Sequence, residues 1–226
     1  MVCHETYKDE NNNWLSPDEV ELNEKNNYVK KNSSSKVIVG PSESMSKSKK
    51  NVIDPENIIN SYGADAVRFF ILSDSPPEKD VQWSEEGISS SYKFIQKLWN
   101  MNLKILEQIN QNNPKDIDIE LEKITNKFIK NVTENLENFS YNKIVANIHE
   151  LYTSLSKQIQ HQYTKETLIK NYEKILVVIS PVIPHFANQC LKEIGTKNLA
   201  WPVFDEAILK EEHINIVIQI NGKKRG

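Results

Sequence analysis

From residue 55 to residue 195 the chain repeats one pattern: apolar side chains every three or four positions, in stretches separated by proline, glycine or polar runs. That spacing gathers them on one face of an α-helix, and such a face must be buried against another. The first stretch starts at Pro55, with Asp54 as N-cap and Glu56 in the first turn, and should stop near Gly63. A second, from about Ala64, carries Val67, Phe69, Phe70, Ile71 and Leu72 up to the break at Pro76-Pro77. Ser84 reads as the N-cap of a long helix to about Gln111, with Ile88, Tyr92, Ile95, Trp99, Leu103, Leu106 and Ile109 as its stripe and Pro114 closing it. Three more run over Ile119–Leu136, Tyr141–Ile159 and Lys165–Ile179, and a last one from Pro184 should end at Gly195, a residue suited to a left-handed cap. Helices of this kind bury their stripes most simply as an antiparallel bundle.

The first 40 residues differ. Short apolar runs (Val2, Tyr7, Trp14-Leu15, Val20, Leu22, Tyr28-Val29, Val37-Ile38-Val39) alternate with Asn-rich and Ser-rich turns, which reads as small antiparallel strands. The far end is strand-like again. Ile214–Ile220 alternates as a strand, Asn221-Gly222 is a strong hairpin-turn signal, and the sequence stops at Gly226. This predicts a truncated β-strand, half a hairpin without its partner, and hence a chain cut just inside a further domain. The expected fold is therefore mainly α, an antiparallel helical bundle preceded by a small β-rich segment and ending in that strand. It divides into residues 1–54, 55–83, 84–200 and 201–226.

A hydrophobic content of 38% suffices for a core, and a net charge of −3 excludes a chain that binds polyanions indiscriminately, so any nucleic-acid contact must come from local patches. Cys3 and Cys190 are far apart and form no CxxC, which excludes a disulfide framework and fits a reducing, cytoplasmic setting. Cys3-His4 has no second pair at ligand spacing, so no metal site is expected. No apolar run approaches the roughly 20 residues of a membrane span.

The chemistry-bearing stretch is Ser44-Met45-Ser46-Lys47-Ser48, followed by Lys49 and Lys50 and then by the helix start at Asp54-Pro55. Taken alone, such a cluster is equally a solvated linker. Held against a helix, a cationic, Ser-rich loop suits closing over a polyphosphate while charge develops there.

The ordered set of motifs resembles the class I aminoacyl-tRNA synthetases and, within them, the leucyl branch of the bacterial type. Residues 44–48 are similar to the class signature Lys-Met-Ser-Lys-Ser, and Tyr62-Gly63-Ala64-Asp65-Ala66-Val67-Arg68-Phe69 to the helix that follows it. Pro76-Pro77-Glu78, then Gln82-Trp83-Ser84 with Gly87, resemble the leucyl passage into the bundle. Ile183-Pro184-His185-Phe186-Ala187 resembles its late-bundle Pro-His signature. Trp201-Pro202 with Asp205-Glu206-Ala207, and Ile218–Arg225, resemble the approach to a small C-terminal domain. One departure stands out: the signature begins with lysine, and this chain has Ser44.

The resemblance implies ATP-dependent activation of leucine and its ligation to leucine tRNA by the full-length protein, with magnesium accompanying ATP. It makes 1–54 the end of the catalytic domain, 55–83 connecting helices, 84–200 the tRNA anticodon-stem domain, and 201–226 a linker into the C-terminal domain. Lys47 would carry the charge role on departing pyrophosphate. Ser46, Ser48 and Asn51 would shape the loop and donate hydrogen bonds, Asn51 and Lys47 touching ATP. Lys49 and Lys50 are candidates to replace the charge missing at Ser44. Candidate tRNA contacts are Lys93, Lys97 and Lys104 on the long helix and Lys223, Lys224 and Arg225 at the end; lysines on a helix are equally a solvated face. His185 reads as a helix-start packing or capping residue, and His149 and His161 carry no catalytic signal. His-Ile-Gly-His, GxGxxG and GxxxxGK[ST] are all absent. The leucine pocket is expected upstream, reached together with ATP through that missing domain, so the chain alone is expected to be inactive and, in the complete enzyme, a monomer. Competing expectations are a valyl or isoleucyl relative, and a freestanding helical RNA-binding or interaction module.

Overall fold

The computed structural model describes residues 1–33, 35–111, 119–196, 199–209, 219–220 and 223–224. Strand β1 (Val2–Lys8) is the centre of the N-terminal sheet. Along one edge it pairs antiparallel with β5 (Ile38–Ser44), and along the other with β2 (Trp14–Leu15) near its end and, in parallel, with β6 (Val81–Gln82) near its start. Strands β3 (Val20–Leu22) and β4 (Tyr28–Lys30) form a separate hairpin. The asparagines make the turns, as expected: Asn12, Asn26 and Asn32 all have positive φ, a region asparagine tolerates better than most residues. Tyr7, Leu15, Val20 and Val37 form the small core beneath.

Helix α1 (Pro55–Tyr62) starts where expected, with the Asp54 carboxylate accepting from the Glu56 N–H at 3.0 Å. Gly63, at φ +82°, turns the chain into α2 (Ala64–Asp74) through a conformation that a side chain would strain. Helix α3 (Glu85–Gln111) is about 40 Å long, and Ser84 Oγ accepts from the Gly87 N–H at 3.1 Å. Helices α4 (Ile119–Glu137), α5 (Tyr141–Gln158), α6 (Lys165–Ile179) and α7 (Pro184–Glu193) complete the bundle, with a short α8 (Glu206–Leu209) beyond. Gly195 (φ +75°) ends α7 as expected, its N–H reaching Lys192 O while Thr196 N reaches back to Leu191 O. One core, with Leu98, Ile105, Ile129, Ile148, Leu176 and Ile183 at its centre, runs through the bundle. The fold is mainly α, a helical bundle with a small β segment.

Two expectations need correction. The buried stripe of α3 is Ile88, Ser91, Phe94, Leu98, Met101, Asn102, Ile105 and Ile109, whereas Tyr92 and Leu103 are exposed. Two polar residues belong to that buried face, so tracing only apolar letters drifts off it. Asn102 is satisfied in the core by Tyr172 Oη and by a Glu193 carboxylate oxygen. At the other end, strand Gln219–Ile220 (β7) does have a partner. It pairs antiparallel with Lys223–Lys224 (β8), Gln219 opposite Lys224 and Ile220 opposite Lys223. Pro114, residues 214–218, Asn221, Gly222 and Arg225 lie outside the described residues.

Candidate functional site

Strand β5 delivers the loop. Its last residue, Ser44, faces Cys3 across the β1 ladder, with Ser44 Oγ 3.9 Å from Cys3 Sγ, so no cation stands at that position. The chain then makes one 3-10 turn over Lys47–Lys49 and leaves through Lys50, held left-handed at φ +54°. Asn51, fully buried, holds this turn closed: its Oδ1 accepts from Ser46 N at 2.8 Å, and its Nδ2 donates to His4 O at 3.2 Å and Glu43 O at 3.1 Å. Expected both to shape the loop and to touch ATP, Asn51 is found shaping it. The amide spends its bonds on protein and faces no solvent. Ser46 and Ser48 are linked Oγ to Oγ at 2.8 Å.

The three lysines are not equivalent. Lys49 pairs with Glu43, and Lys50 lies 3.8 Å from a Glu19 carboxylate oxygen. Lys47 is exposed and is in no ion pair among the described residues. The turn thus offers one uncommitted ammonium at its tip, two neighbours tethered by carboxylates, and exposed serine hydroxyl. That arrangement fits the phosphates of a nucleotide. Among the described residues no group of three or more His, Cys, Asp or Glu could hold a metal ion, and no helix is long and apolar enough to cross a membrane.

The joint between this turn and the bundle is built by the motif Gly63–Phe69. Phe70 packs with Val81, Ile88 and Trp83, while its neighbour Phe69 lies in the bundle core. Asp65, nearly buried, caps α7: its Oδ1 accepts from His185 N at 3.2 Å and lies 3.0 Å from His185 Nδ1, and its Oδ2 accepts from Phe186 N at 2.6 Å. Arg68 donates to the carbonyls of Pro181 (2.6 Å) and Val182 (3.1 Å). His185 therefore does sit at a helix start, as expected, with Asp65 as its partner.

Lys93, Lys97 and Lys104 are exposed on α3, the first two one turn apart. Strand β8 carries Lys223 and Lys224. Sequence reading passed over a second set: Lys123, Lys127 and Lys130 of α4 and Lys157 of α5 line a groove of about 670 Å³, together with Asn131, Asn147 and Ser154 and with two carboxylates, Glu120 and Glu150, that offset part of the positive charge. None of these four lysines is in an ion pair among the described residues. Their 4-and-3 spacing along α4 was the available signal. His149 is exposed overall but lies against Phe94, ring centres 3.8 Å apart, and the partial desolvation of that contact, with Lys97 adding to it, pushes its pKa below the ordinary value. Burial also pushes the Cys190 thiol up to about 12, which marks it as a packing residue.

Residues 118–226 match the family described as the anticodon-binding domain of tRNA ligase, and residues 18–84 match class I tRNA synthetases (I, L, M and V). Leucine–tRNA ligase of Orientia tsutsugamushi is 44% identical over 234 residues, and that of Bartonella henselae 40% over 242; both comparisons take in 100% of this chain. The chain spans about 27% of the length of these curated relatives. Among solved structures, the LeuRS–tRNA–LeuAMS ternary complex of Agrobacterium radiobacter K84 superposes with a TM-score of 0.66 over 80% of this chain and 25% of its own, at 23% identity, a likeness of fold. The similarity to leucine–tRNA ligases extends through the whole chain, as the motifs implied.

Proposed function

We infer that this chain works as part of a leucine–tRNA ligase, supplying the loop that acts on ATP and the helical domain that receives tRNA. The observation that carries the reading is the identity of 38–44% to leucine–tRNA ligases across every residue of the chain. The geometry supports it where chemistry is concerned, because the one lysine of the 44–50 turn with no carboxylate partner among the described residues is Lys47.

In the reaction so inferred, the leucine carboxylate attacks the α-phosphate of ATP, pyrophosphate leaves, and the leucyl group passes to the terminal ribose of leucine tRNA. The first step asks the protein for position and for positive charge where the leaving group gathers negative charge. Lys47 supplies that charge, and Asn51 supplies position by holding the turn. ATP enters with magnesium. Lys49 and Lys50 keep the turn's shape through their carboxylates; restoring charge lost at Ser44 would require Glu43 and Glu19 to release them. Residues 1–54 close the catalytic domain, 55–83 connect, 84–200 face the tRNA stem and 201–226 lead into a further domain. The α3 lysines, Lys223–Arg225 and the α4–α5 groove are the candidate phosphate contacts. The setting is cytoplasmic and the enzyme a monomer.

The test is leucine-dependent pyrophosphate exchange by the complete enzyme, with valine and isoleucine as alternatives. Exchange with leucine supports the reading. Exchange with valine or isoleucine instead assigns the chain to a sister enzyme, and no exchange with any of them leaves a helical binding module without ATP chemistry.

A further inference from the structure

Two adjacent side chains of α2 belong to different cores: Phe69 to the bundle, Phe70 to the cluster with Val81, Ile88 and Trp83 that touches the sheet. The same helix grips one short stretch of the bundle twice. Arg68 takes the carbonyls of Pro181 and Val182, just past the C-terminal end of α6, and Asp65 takes the N–H groups of His185 and Phe186, in the first turn of α7. Each charge meets the helix end whose partial charge opposes it. The partners are 113 to 121 residues apart in sequence, so this is a tertiary clasp.

From the clasp a continuous set of contacts leads to the loop. Helix α2 packs through Phe70 on Trp83 and Val81. Strand β6 pairs with β1 at Val2 and Cys3, and Trp83 N donates to Cys3 O. His4 O of β1 accepts from the Asn51 amide that holds the turn carrying Lys47. Asp65 and Arg68 fasten α2, and through it the sheet side of the joint, to the α6–α7 corner of the bundle. Trp83, whose Nε1 donates to Glu85 Oε1 of α3, is a second polar link between sheet and bundle.

We propose that Asp65 and Arg68 are positioning residues that keep the loop in register with the tRNA-receiving bundle, acting on the transfer of the leucyl group and not on its activation. The proposal rests on the reading given under Proposed function. Of the parts this chain supplies, activation draws on the turn and not on the bundle, whereas transfer needs a tRNA held by the bundle to present its terminal ribose at the adenylate. A small misplacement that leaves the first step intact therefore slows the second.

The experiment compares the complete enzyme with Asp65→Asn, Arg68→Lys and the double variant. The first change would turn an amide NH2 toward an N–H that now donates to a carboxylate, and the second would keep the charge but lose the fork that spans two carbonyls. Three quantities are read: tRNA-free pyrophosphate exchange, tRNA affinity, and single-turnover transfer from preformed adenylate. Exchange and tRNA affinity should stay within about twofold, while transfer slows by about 10-fold to 100-fold. The double variant should be little worse than the poorer single one, since both break one clasp. Equal losses in exchange and transfer would assign the pair to stability and overturn the proposal, as would unchanged transfer or a loss confined to tRNA affinity. If Asp65→Asn does not fold, Arg68→Lys decides by the same outcomes. A wild-type enzyme without leucine-dependent exchange would overturn the functional reading itself, an outcome distinct from all of these.

Discussion

Replacing Lys47 by alanine in the complete enzyme should slow adenylate formation by about two to three orders of magnitude, the scale of one preorganised charge lost from a transition state. Rapid-quench measurement of the chemical step checks this; weaker leucine binding with an unchanged chemical step would remove Lys47 from the role. Asn51→Ala acts differently. It strands Ser46 N and two carbonyls in a buried setting and should cost about 1–3 kcal/mol in denaturant unfolding, with most of the effect felt by the turn. Lys47 was legible in the sequence because it sits inside a motif. Asn51 was expected to shape the loop; what the sequence did not show is its partner on β1, His4 O, 47 residues away. His149 gives a pH test. Partial desolvation against Phe94, with Lys97 nearby, lowers its folded-state pKa although the residue is exposed overall, so the unfolded chain takes up the proton first. Stability is unaffected well above the ordinary histidine pKa of about 6.5 and falls as pH drops below it. Melting temperatures of wild type and His149→Gln at pH 7.5 and about 5.5 should show a smaller pH-dependent loss in the variant.

At the scale of elements, α2 and α3 approach closely because Gly87 has no side chain. A Cβ there would lie 2.5 Å from Phe70 Cε2, and Phe70 is itself packed against Trp83. Gly87→Ala should therefore destabilise by about 1–3 kcal/mol despite its better helix propensity, and a thermal melt showing a gain would refute the close packing. Helix starts were readable because their caps are local: Asp54, Ser84 and the Pro at the head of α7 all stand where their residue types placed them. The phase of α3 was less readable, because Ser91 and Asn102 occupy its buried face and a hydrophobic count skips them. The meeting of the Gly-Ala-Asp and Pro-His signatures was not readable at all. Each looked like a separate mark, and 120 residues of chain hide that the carboxylate of one is the cap of the other.

The chain as a whole carries a net charge of −3, so the RNA binding proposed for it has to come from lysines gathered on particular faces. Titration with leucine tRNA and an unrelated tRNA should give tighter binding to the former and a log–log salt slope of about −2 to −4, the mark of a few phosphate contacts. Lys123→Ala with Lys127→Ala should flatten that slope if the α4–α5 groove takes part, and leave it unchanged if α3 alone does. The parallel pairing of β6 with β1 bears on how such a chain is made. Val2 and Val81 are neighbours in the sheet, yet β1 is synthesised 79 residues before its partner. At about 5–20 residues per second, the start of that strand waits roughly 4–16 s on the ribosome with an open edge. In that interval it can pair with β5 on one side, but on the other it offers backbone donors and acceptors to any passing strand. The vulnerable moment for this fold is thus during translation, before Trp83 emerges, and a nascent chain stalled short of residue 83 should aggregate more readily than one released just beyond it.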